Sequence, residues 1–251
     1  MTIQNVEQAV IAAVDVGSNS IKMTVARPTA DGELIVLADT METVRLGAGV
    51  PTTGRLAEDR MTAALATLRR FATIAREQGA TRLIGVATEA VRRASNGHAF
   101  LDHVKTETGW QVRLISGDEE AMLTFRGLAT DIDLTGLLFV ADIGGASTEV
   151  IIAHDGQIMQ AKSLQLGSGS LTEAHIVADP PTGAEVNACQ SAAAATLLGI
   201  DLSPTQGATL VVVGGTGTYL ARLLDDEPVI NQSGVEHVRD RCLTLTAAEL
   251  A

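Results

Sequence analysis

Two segments of the sequence place an acidic residue, glycines and small hydroxyl residues in the same order, 127 residues apart. Residues 15–26 read DVGSNSIKMTVA, and residues 142–153 read DIGGASTEVIIA. Glycine lets a backbone approach an anion closely, and small side chains leave N–H and hydroxyl groups exposed in an anion-binding nest. The aspartate that begins each segment can orient a nucleophilic or metal-bound water. The repeat predicts two phosphate-binding turns, which we name the first glycine loop (15–20) and the second glycine loop (142–149).

A single turn of this kind also fits an ordinary β-hairpin, and the duplication in matching context is what favours phosphate binding. The candidate phosphate ligands in the two loops are Ser18, Asn19, Ser20, Gly144, Gly145 and Ser147. Asp142 and Glu149 flank the second loop, and their carboxylates are suitable ligands for a metal ion or a reacting water. The structural alternatives are a strand-end turn residue for Asp142 and a solvent-facing strand position for Glu149.

A pair of acidic residues, Glu119 and Glu120, follows Ser116 and Gly117 at the predicted start of a helix. Acidic residues in a first helical turn complement the helix dipole, and Ser116 with Glu119 fits a capping box. Glu120 lies one position past that box, so its carboxylate is available to face a binding site.

Two cations are candidates for neutralising bound phosphate. Lys22 follows the first loop on an apolar strand, and Arg92 follows a strand exit at which Thr88 offers a hydroxyl. The alternatives are a solvated edge lysine and a surface basic pair. A third glycine loop lies between a predicted strand and a predicted helix, where it can contact a nucleotide or form a tight turn. Its residues are Gly214, Gly215, Thr216 and Gly217.

Apolar runs and helical periodicity predict the elements that position these residues. Strands are predicted at 10–16, 21–27, 34–39, 83–87, 112–115, 137–142, 148–154, 157–166 and 209–213. Helices are predicted at 58–78, 98–107, 118–128, 185–198 and 218–224. Because strands alternate with helices, the fold class is α/β. No linker separates the halves, and we expect one lobe at 1–130 and a second at 131–251.

Composition excludes several classes of function. The 251 residues carry a net charge of −12, and aromatic residues make up 2%, so binding of duplex or single-stranded nucleic acid is not expected. Cys189 and Cys242 form neither a disulfide framework nor a zinc motif. Without a targeting or membrane-spanning segment, the expected location is the cytoplasm, with no membrane partner.

Five segments in order resemble the exopolyphosphatase / guanosine pentaphosphate phosphohydrolase (Ppx/GppA) family of the actin/Hsp70/sugar-kinase superfamily. They are residues 15–20, LGAG at 46–49, VATEAVRRASN at 86–96, ISGDEEA at 115–121 and DIGGASTE at 142–149. The resemblance implies two RNase H-like lobes with a central cleft. It also implies phosphoanhydride hydrolysis that depends on Mg²⁺ or another divalent cation and releases terminal phosphate from polyphosphate or pppGpp.

Residue roles follow from the same resemblance. It implies that Glu120 is the general base, that Asp142 and Glu149 act in catalysis and hold the metal, and that Thr88 and Arg92 contact phosphate. A homodimer is also implied. Two non-hydrolytic alternatives stay open: a regulatory homologue that binds polyphosphate or (p)ppGpp, and a phosphotransferase such as a small-molecule kinase.

The sequence departs from the family pattern at three places. Ala146 replaces the third glycine of the second loop, which is costly only if that position needs a positive φ. Ser170 replaces the arginine of the family's Leu-Gly-x-x-Arg-Leu-Thr-Glu segment. The chain ends at Ala251, about 50 residues before the shortest family members, so we expect a C-terminally incomplete second lobe.

Overall fold

The computed structural model describes residues 9–30, 32–130 and 132–223. The chain divides into two compact units, Met1–Ser116 and Gly117–Ala251. No helix in the described ranges is both long enough and apolar enough to cross a membrane.

The first unit contains a five-stranded mixed sheet in the order β3-β2-β1-β4-β5. Its strands are β1 (Ile11–Val16), β2 (Ser20–Pro28), β3 (Leu34–Thr43), β4 (Arg82–Ala87) and β5 (Gln111–Leu114). Its helices are α1 (Val50–Thr53), α2 (Glu58–Glu77), α3 (Glu89–Arg93) and α4 (Gly97–Thr108). The first three strands are antiparallel neighbours, while β4 runs parallel to both β1 and β5.

The core of the first unit forms where the apolar face of α2 covers alternate residues of the sheet. Val14, Met23 and Val25 point to this face, because successive strand residues alternate between faces. Leu68 and Phe71 of α2 are fully buried against them. This packing fixes the ends of β1 and β4, at which the first loop and Thr88 lie.

The second unit repeats the strand order of the first, with a four-stranded sheet β8-β7-β6-β9 among the described residues. Its strands are β6 (Leu137–Ile143), β7 (Thr148–His154), β8 (Gln157–Leu164) and β9 (Thr209–Val213). Its helices are α5 (Gly117–Leu128), α6 (Ser168–His175), α7 (Gly183–Leu197) and α8 (Gly214–Leu223). In both units the glycine loop joins the first two strands.

The structure assigns α5 to the second unit, although the sequence analysis placed residues 117–130 in the first lobe. The reason is packing: Ala121 and Phe125 of α5 share a buried cluster with Val140 and Ile151 of the second sheet. Glu120 therefore belongs to the unit that carries Asp142 and Glu149.

All nine predicted strands and all five predicted helices are present, with ends shifted by a few residues. The helices α1, α3 and α6 were not predicted. The interpretation of residues 214–217 as a loop before a helix is corrected, because α8 begins at Gly214, directly after β9. The glycines are therefore the first turn of that helix.

Glu185 ties the start of α7 to the preceding segment. Its carboxylate accepts hydrogen bonds from the N–H groups of Val177 (2.8 Å), Ala178 (3.1 Å) and Thr182 (2.7 Å), and Thr182 caps the helix in return. The Thr182 N–H, followed by the Val177 N–H, the Thr182 hydroxyl and the Ala178 N–H, lowers the pKa of Glu185 from 4.5 to about 2. The ionised carboxylate is thus the form that the fold stabilises.

We expect the contribution of Glu185 to stability to depend on pH. Because the folded-state pKa is lowered, the contribution is complete above pH 4.5 and is lost as the pH falls towards 2. The thermal midpoints of the wild type and Glu185→Gln should differ at pH 6 and converge near pH 2. Glu77→Gln, on the exposed end of α2, is the control. A difference that persists unchanged at pH 2 would contradict this assignment.

Candidate functional site

The first glycine loop is a tight turn whose carbonyl groups are held by the chain that follows β3. Gly17 N–H donates to Ser20 O at 3.1 Å and closes the turn. The N–H groups of Val44 and Arg45 donate to Asn19 O at 2.9 and 2.7 Å, and Gly47 N–H donates to Ser18 O at 2.8 Å. Residues 44–47 therefore fix the position of the loop.

Predicted phosphate ligands from separate parts of the first unit meet at this loop. The hydroxyl of Ser18 accepts a hydrogen bond from the N–H of Ala90, the second residue of α3, at 3.1 Å. Thr88 immediately precedes α3 and is buried, and its N–H donates to Val16 O at 3.4 Å. Ser18, Asn19, Ser20 and Thr88 thus lie around the adjacent ends of β1 and β4.

The two predicted cations differ in their surroundings. Lys22 is exposed on β2 and pairs in register with Asp15 on β1. The guanidinium of Arg92 donates from Nη1 to Ile115 O at 2.6 Å and from Nη2 to Glu89. A phosphate bound at Arg92 would share this group with the Glu89 carboxylate, so the phosphate role of Arg92 stays a prediction.

In the second glycine loop, three consecutive carbonyl groups accept hydrogen bonds. Thr216 Oγ1 donates to Ile143 O at 3.1 Å. Ser168 N–H donates to Gly144 O at 3.0 Å, and Ser170 N–H donates to Gly145 O at 2.9 Å. Gly144 N–H closes the turn on Ser147 O at 3.0 Å. The segment after β8 thus holds the second loop as residues 44–47 hold the first.

The two segments that hold the loops share a short sequence pattern. Leu46-Gly47-Ala48-Gly49 follows β3, and Leu166-Gly167-Ser168-Gly169 follows β8. A Cβ atom on Gly167 would lie 2.3 Å from Ala146 N, and one on Gly47 would lie 3.1 Å from Ser18 Cβ. The Leu-Gly-x-Gly repeat therefore marks where the backbone must pass directly against each loop.

The structure accommodates Ala146 and Ser170, the first two departures from the family pattern. Ala146 is not among the described non-glycine residues with positive φ, which are Arg45 and Asp155, so alanine introduces no left-handed strain there. Ser170 is turned towards the second loop, with its hydroxyl donating to Gly145 O at 3.3 Å. Ser170 therefore supports the loop backbone.

The carboxylates of Asp142 and Glu149 belong to one row across the second sheet. The two residues pair directly across β6 and β7, and Ser163 pairs with Glu149 on β8, so all three share a face. Ser163 Oγ donates to Glu149 Oε1 at 2.7 Å, and Thr124 Oγ1 of α5 donates to Asp142 Oδ2 at 2.9 Å. Glu149 is only 2% exposed.

Helix α5 brings Glu120 to the same face. Gly117 packs so closely on Ser163 that an added Cβ would lie 2.3 Å from Ser163 Cβ. Glu120 is three residues after Gly117 and four before Thr124, which places all three on one side of the helix. The Oε2 atom of Glu120 is buried. The structure thus places Glu120, Asp142 and Glu149 at one region of the second unit.

Gly214 and Thr216, from the third glycine-rich segment (214–217), also contact Asp142 and the second glycine loop. Gly214 has φ +82°, and a Cβ there would lie 2.6 Å from Asp142 Oδ1. Thr216 contacts the second loop through its hydrogen bond to Ile143 O. Contact of Gly214, Gly215 or Thr216 with a nucleotide stays a prediction. Gly214 and Thr216 pack on the second loop, whereas a Cβ on Gly215 would meet nothing within 4 Å.

Asp142 and Glu149 offer carboxylate oxygens to a metal ion. No group of three or more His, Cys, Asp or Glu side chains within the described ranges is arranged to hold a metal. Mg²⁺ commonly binds through one or two carboxylates together with waters and substrate phosphates. The neighbouring Asp142 and Glu149 suit that mode and do not form a complete protein cage.

Thr124 was not singled out from the sequence, and its hydroxyl gives a direct test of the Asp142 position. Thr124→Val keeps the side-chain volume and removes the donor, so we expect any Asp142-dependent phosphate release to fall roughly tenfold or more. Thr124→Ser keeps the donor and should restore most of the rate. Equal rates for the valine and serine variants would show that this hydrogen bond does not position Asp142.

Comparisons with known proteins identify a matching family model and several relatives of this chain. A sequence model of the Ppx/GppA phosphatase family matches residues 24–251. A guanosine-5′-triphosphate,3′-diphosphate pyrophosphatase from Vibrio atlanticus is 34% identical over 218 residues, covering 87% of this chain and 44% of that protein. Exopolyphosphatase 1 from Mycobacterium tuberculosis is 33% identical over 172 residues, covering 68% of this chain and 50% of that protein. The chain spans about half the length of these curated relatives.

Solved structures show the same fold. An exopolyphosphatase from Cytophaga hutchinsonii superposes with a TM-score of 0.86 at 25% identity, covering 96% of this chain and 81% of that one. A Ppx/GppA family member from Aquifex aeolicus gives a TM-score of 0.71 at 30% identity, with the same coverage of 96% and 81%. Together with the repeated strand order, these likenesses confirm the predicted α/β class with two RNase H-like units.

Proposed function

This chain belongs to the Ppx/GppA phosphatase family, and on that premise we propose that it hydrolyses phosphoanhydride bonds. The proposed reaction releases terminal phosphate from polyphosphate or from a guanosine polyphosphate such as pppGpp. The observation that carries the proposal is the Asp142–Glu149 pair beside the second glycine loop, on the sheet face covered by the helix that bears Glu120. The relatives, a guanosine-5′-triphosphate,3′-diphosphate pyrophosphatase and an exopolyphosphatase, support both substrate classes.

In the proposed mechanism, Glu120 takes a proton from the water that attacks the terminal phosphorus atom. Asp142 and Glu149 orient this water and would hold a divalent metal, for which Mg²⁺ is the natural choice given oxygen ligands. When bound, that ion would neutralise negative charge on the phosphate. The bond between the terminal phosphorus and the bridging oxygen breaks, and the shortened substrate leaves with the electron pair.

Transfer of a phosphoryl group demands positioning and charge stabilisation more than covalent chemistry from the protein. The turns at Gly144, Gly145 and Ser147 and at Ser18, Asn19 and Ser20 are proposed to receive phosphate oxygens. Their support by the two Leu-Gly-x-Gly segments favours this role, because a rigid loop keeps its donors in one geometry. Lys22 supplies positive charge beside the first loop.

The direct test is release of inorganic phosphate with Mg²⁺ from short polyphosphate, long polyphosphate and pppGpp in parallel. We expect release from at least one of the three, and loss of release when a chelator removes divalent ions. Binding without release from any of them would support the regulatory alternative. Transfer of the terminal phosphoryl group of ATP to a small-molecule acceptor, which leaves ADP and releases no inorganic phosphate, would support the phosphotransferase.

A homodimer is a further proposal from the family resemblance. Light scattering over a range of protein concentrations measures it independently of activity. A mass near 52 kDa, twice the chain mass of 26.1 kDa, would agree with the proposal.

A further inference from the structure

We propose that Arg45 binds a phosphoryl oxygen of the substrate at the first glycine loop, an inference that rests on the proposed function. Arg45 was not among the candidate cations in the sequence. Three features of Arg45 support the inference. They are its backbone conformation, its backbone hydrogen bond to the loop, and a guanidinium with no ion pair or side-chain hydrogen bond within the described ranges.

The backbone of Arg45 is held in a conformation that arginine disfavours. Its φ is +55°, in the left-handed region, where a residue with a side chain pays roughly 1–2 kcal/mol. The other described non-glycine residue with positive φ, Asp155 (φ +47°), is explained by the Asp-Gly turn between β7 and β8. Arg45 lies in no such hairpin turn, and strain of this kind is concentrated at functional sites.

The strained backbone is attached to the tip of the first loop. Arg45 N–H donates to Asn19 O at 2.7 Å, and Arg45 O accepts from Ala48 N–H at 3.1 Å. The neighbouring Val44 and Gly47 hold Asn19 O and Ser18 O in the same way. The base of the Arg45 side chain therefore has a fixed position beside the proposed phosphate ligands.

The guanidinium of Arg45 is available for a ligand. Its side chain is exposed, and within the described ranges it has neither an ion pair nor a side-chain hydrogen bond. Other arginines of the first unit are already engaged: Arg92 with Glu89, Arg70 with Glu42, and Arg69 with Glu107. Lys22 faces Asp15 across the strand pair.

The basic residues of the chain are concentrated in the first unit. Thirteen of the eighteen Lys and Arg residues precede Gly117, and a polyanionic substrate needs cationic ligands. An arginine offers a planar pair of N–H donors that match two phosphate oxygens. The hydrogen bond from Arg45 N–H to Asn19 O ties this arginine directly to the first glycine loop.

The test compares Arg45→Gln with Arg27→Gln, an exposed arginine at the opposite end of β2. Titration calorimetry with methylenediphosphonate, whose P–C–P bridge cannot be hydrolysed, measures binding without turnover. We expect Arg45→Gln to raise the Kd roughly ten- to a hundredfold, the range of one charge-assisted hydrogen bond, and Arg27→Gln to change it less than twofold. Arg45→Lys should fall between Arg45→Gln and the wild type. The KM for phosphate release should rise in parallel with the Kd.

Arg45→Gly separates the charge from the backbone strain. Glycine adopts positive φ readily, so this variant should melt at a higher temperature than Arg45→Gln while binding the diphosphonate equally weakly.

An unchanged Kd for Arg45→Gln would overturn the inference, even if the wild type hydrolyses its substrates. If the wild type binds the diphosphonate but never releases phosphate, the proposed hydrolysis is overturned. The Kd values of the Arg45 variants would still decide whether Arg45 binds the ligand. Absence of both binding and release would overturn both.

Discussion

Replacing Gly167 with alanine is expected to reduce phosphate release at least a hundredfold and to destabilise the second unit. The added Cβ would lie 2.3 Å from Ala146 N, 2.4 Å from Gly145 C and 2.5 Å from Ala146 Cα. All three atoms are backbone, so no side-chain rotation relieves the overlap. The φ of Gly167 is −139°, which alanine adopts readily, and the effect is therefore steric.

Two costs add in this variant. Overpacking of a tight contact costs about 1–3 kcal/mol, and displacement of the second loop weakens the hydrogen bonds from Ser168 and Ser170. A shift of about 1 Å in groups that position a substrate can lower a rate a hundredfold. Urea unfolding and phosphate release measure the two effects separately.

The chain supplies a graded set of controls. Gly47→Ala brings Cβ to 3.1 Å from Ser18 Cβ and Ala90 Cβ, so its effect should be weaker than that of Gly167→Ala. Gly183→Ala, in the first turn of α7, meets nothing within 4 Å. It should leave activity unchanged and raise stability by up to about 1 kcal/mol, because alanine favours a helix over glycine. If Gly167→Ala behaved like Gly183→Ala, the close contact between residue 167 and the second loop would be disproved.

The second large effect is expected from Glu120→Gln. Glutamine has nearly the same shape and cannot accept the proton of the attacking water. Loss of a general base lowers a rate typically by about 10²–10⁴-fold, so phosphate release should fall within that range while KM changes little. The fold should be retained, because the helix contacts through Gly117 and Thr124 do not involve residue 120.

Glu119→Gln is the matched control for Glu120→Gln. It removes one negative charge from the same helical turn, but its side chain lies about 100° further around the helix. We expect phosphate release within about threefold of the wild type, with a small loss of helix stability from the weaker interaction with the dipole. A Glu120→Gln variant with full activity would eliminate Glu120 as the base. A large loss of phosphate release in Glu119→Gln alone would assign the general-base role to Glu119 instead of Glu120.

The sequence was informative about elements with strong patterns and about the repeated loops. β7 and β9 have the predicted bounds, because their apolar runs end at clear turn residues. The duplicated DxGxxS pattern predicted two matching strand pairs, and the strand orders of both sheets agree with it. The strand bounds and the duplicated loops follow from local residue patterns, and such patterns can be read from a single sequence.

The missed features depend on contacts between distant residues. Whether α5 packs on the first or the second sheet is decided by Ala121 and Phe125 meeting Val140 and Ile151, which no local pattern reports. The hydrogen bond from Thr124 to Asp142 and the left-handed backbone of Arg45 are likewise products of tertiary structure. The Leu-Gly-x-Gly repeat was visible in the sequence, but its meaning needed the position of Gly167 against the second loop.

The engagement of three consecutive carbonyl groups in the second loop has a thermodynamic consequence. A flexible turn would lose conformational entropy when it closed on an anion, at roughly 1–2 kcal/mol for each backbone residue that became ordered. Here Ile143, Gly144 and Gly145 are already fixed through their carbonyl oxygens in the free protein. The loop is thus preorganised, and little of the binding free energy is spent on ordering it. For the proposed phosphate ligand, the interaction energy would then be available for stabilising the transition state relative to the ground state.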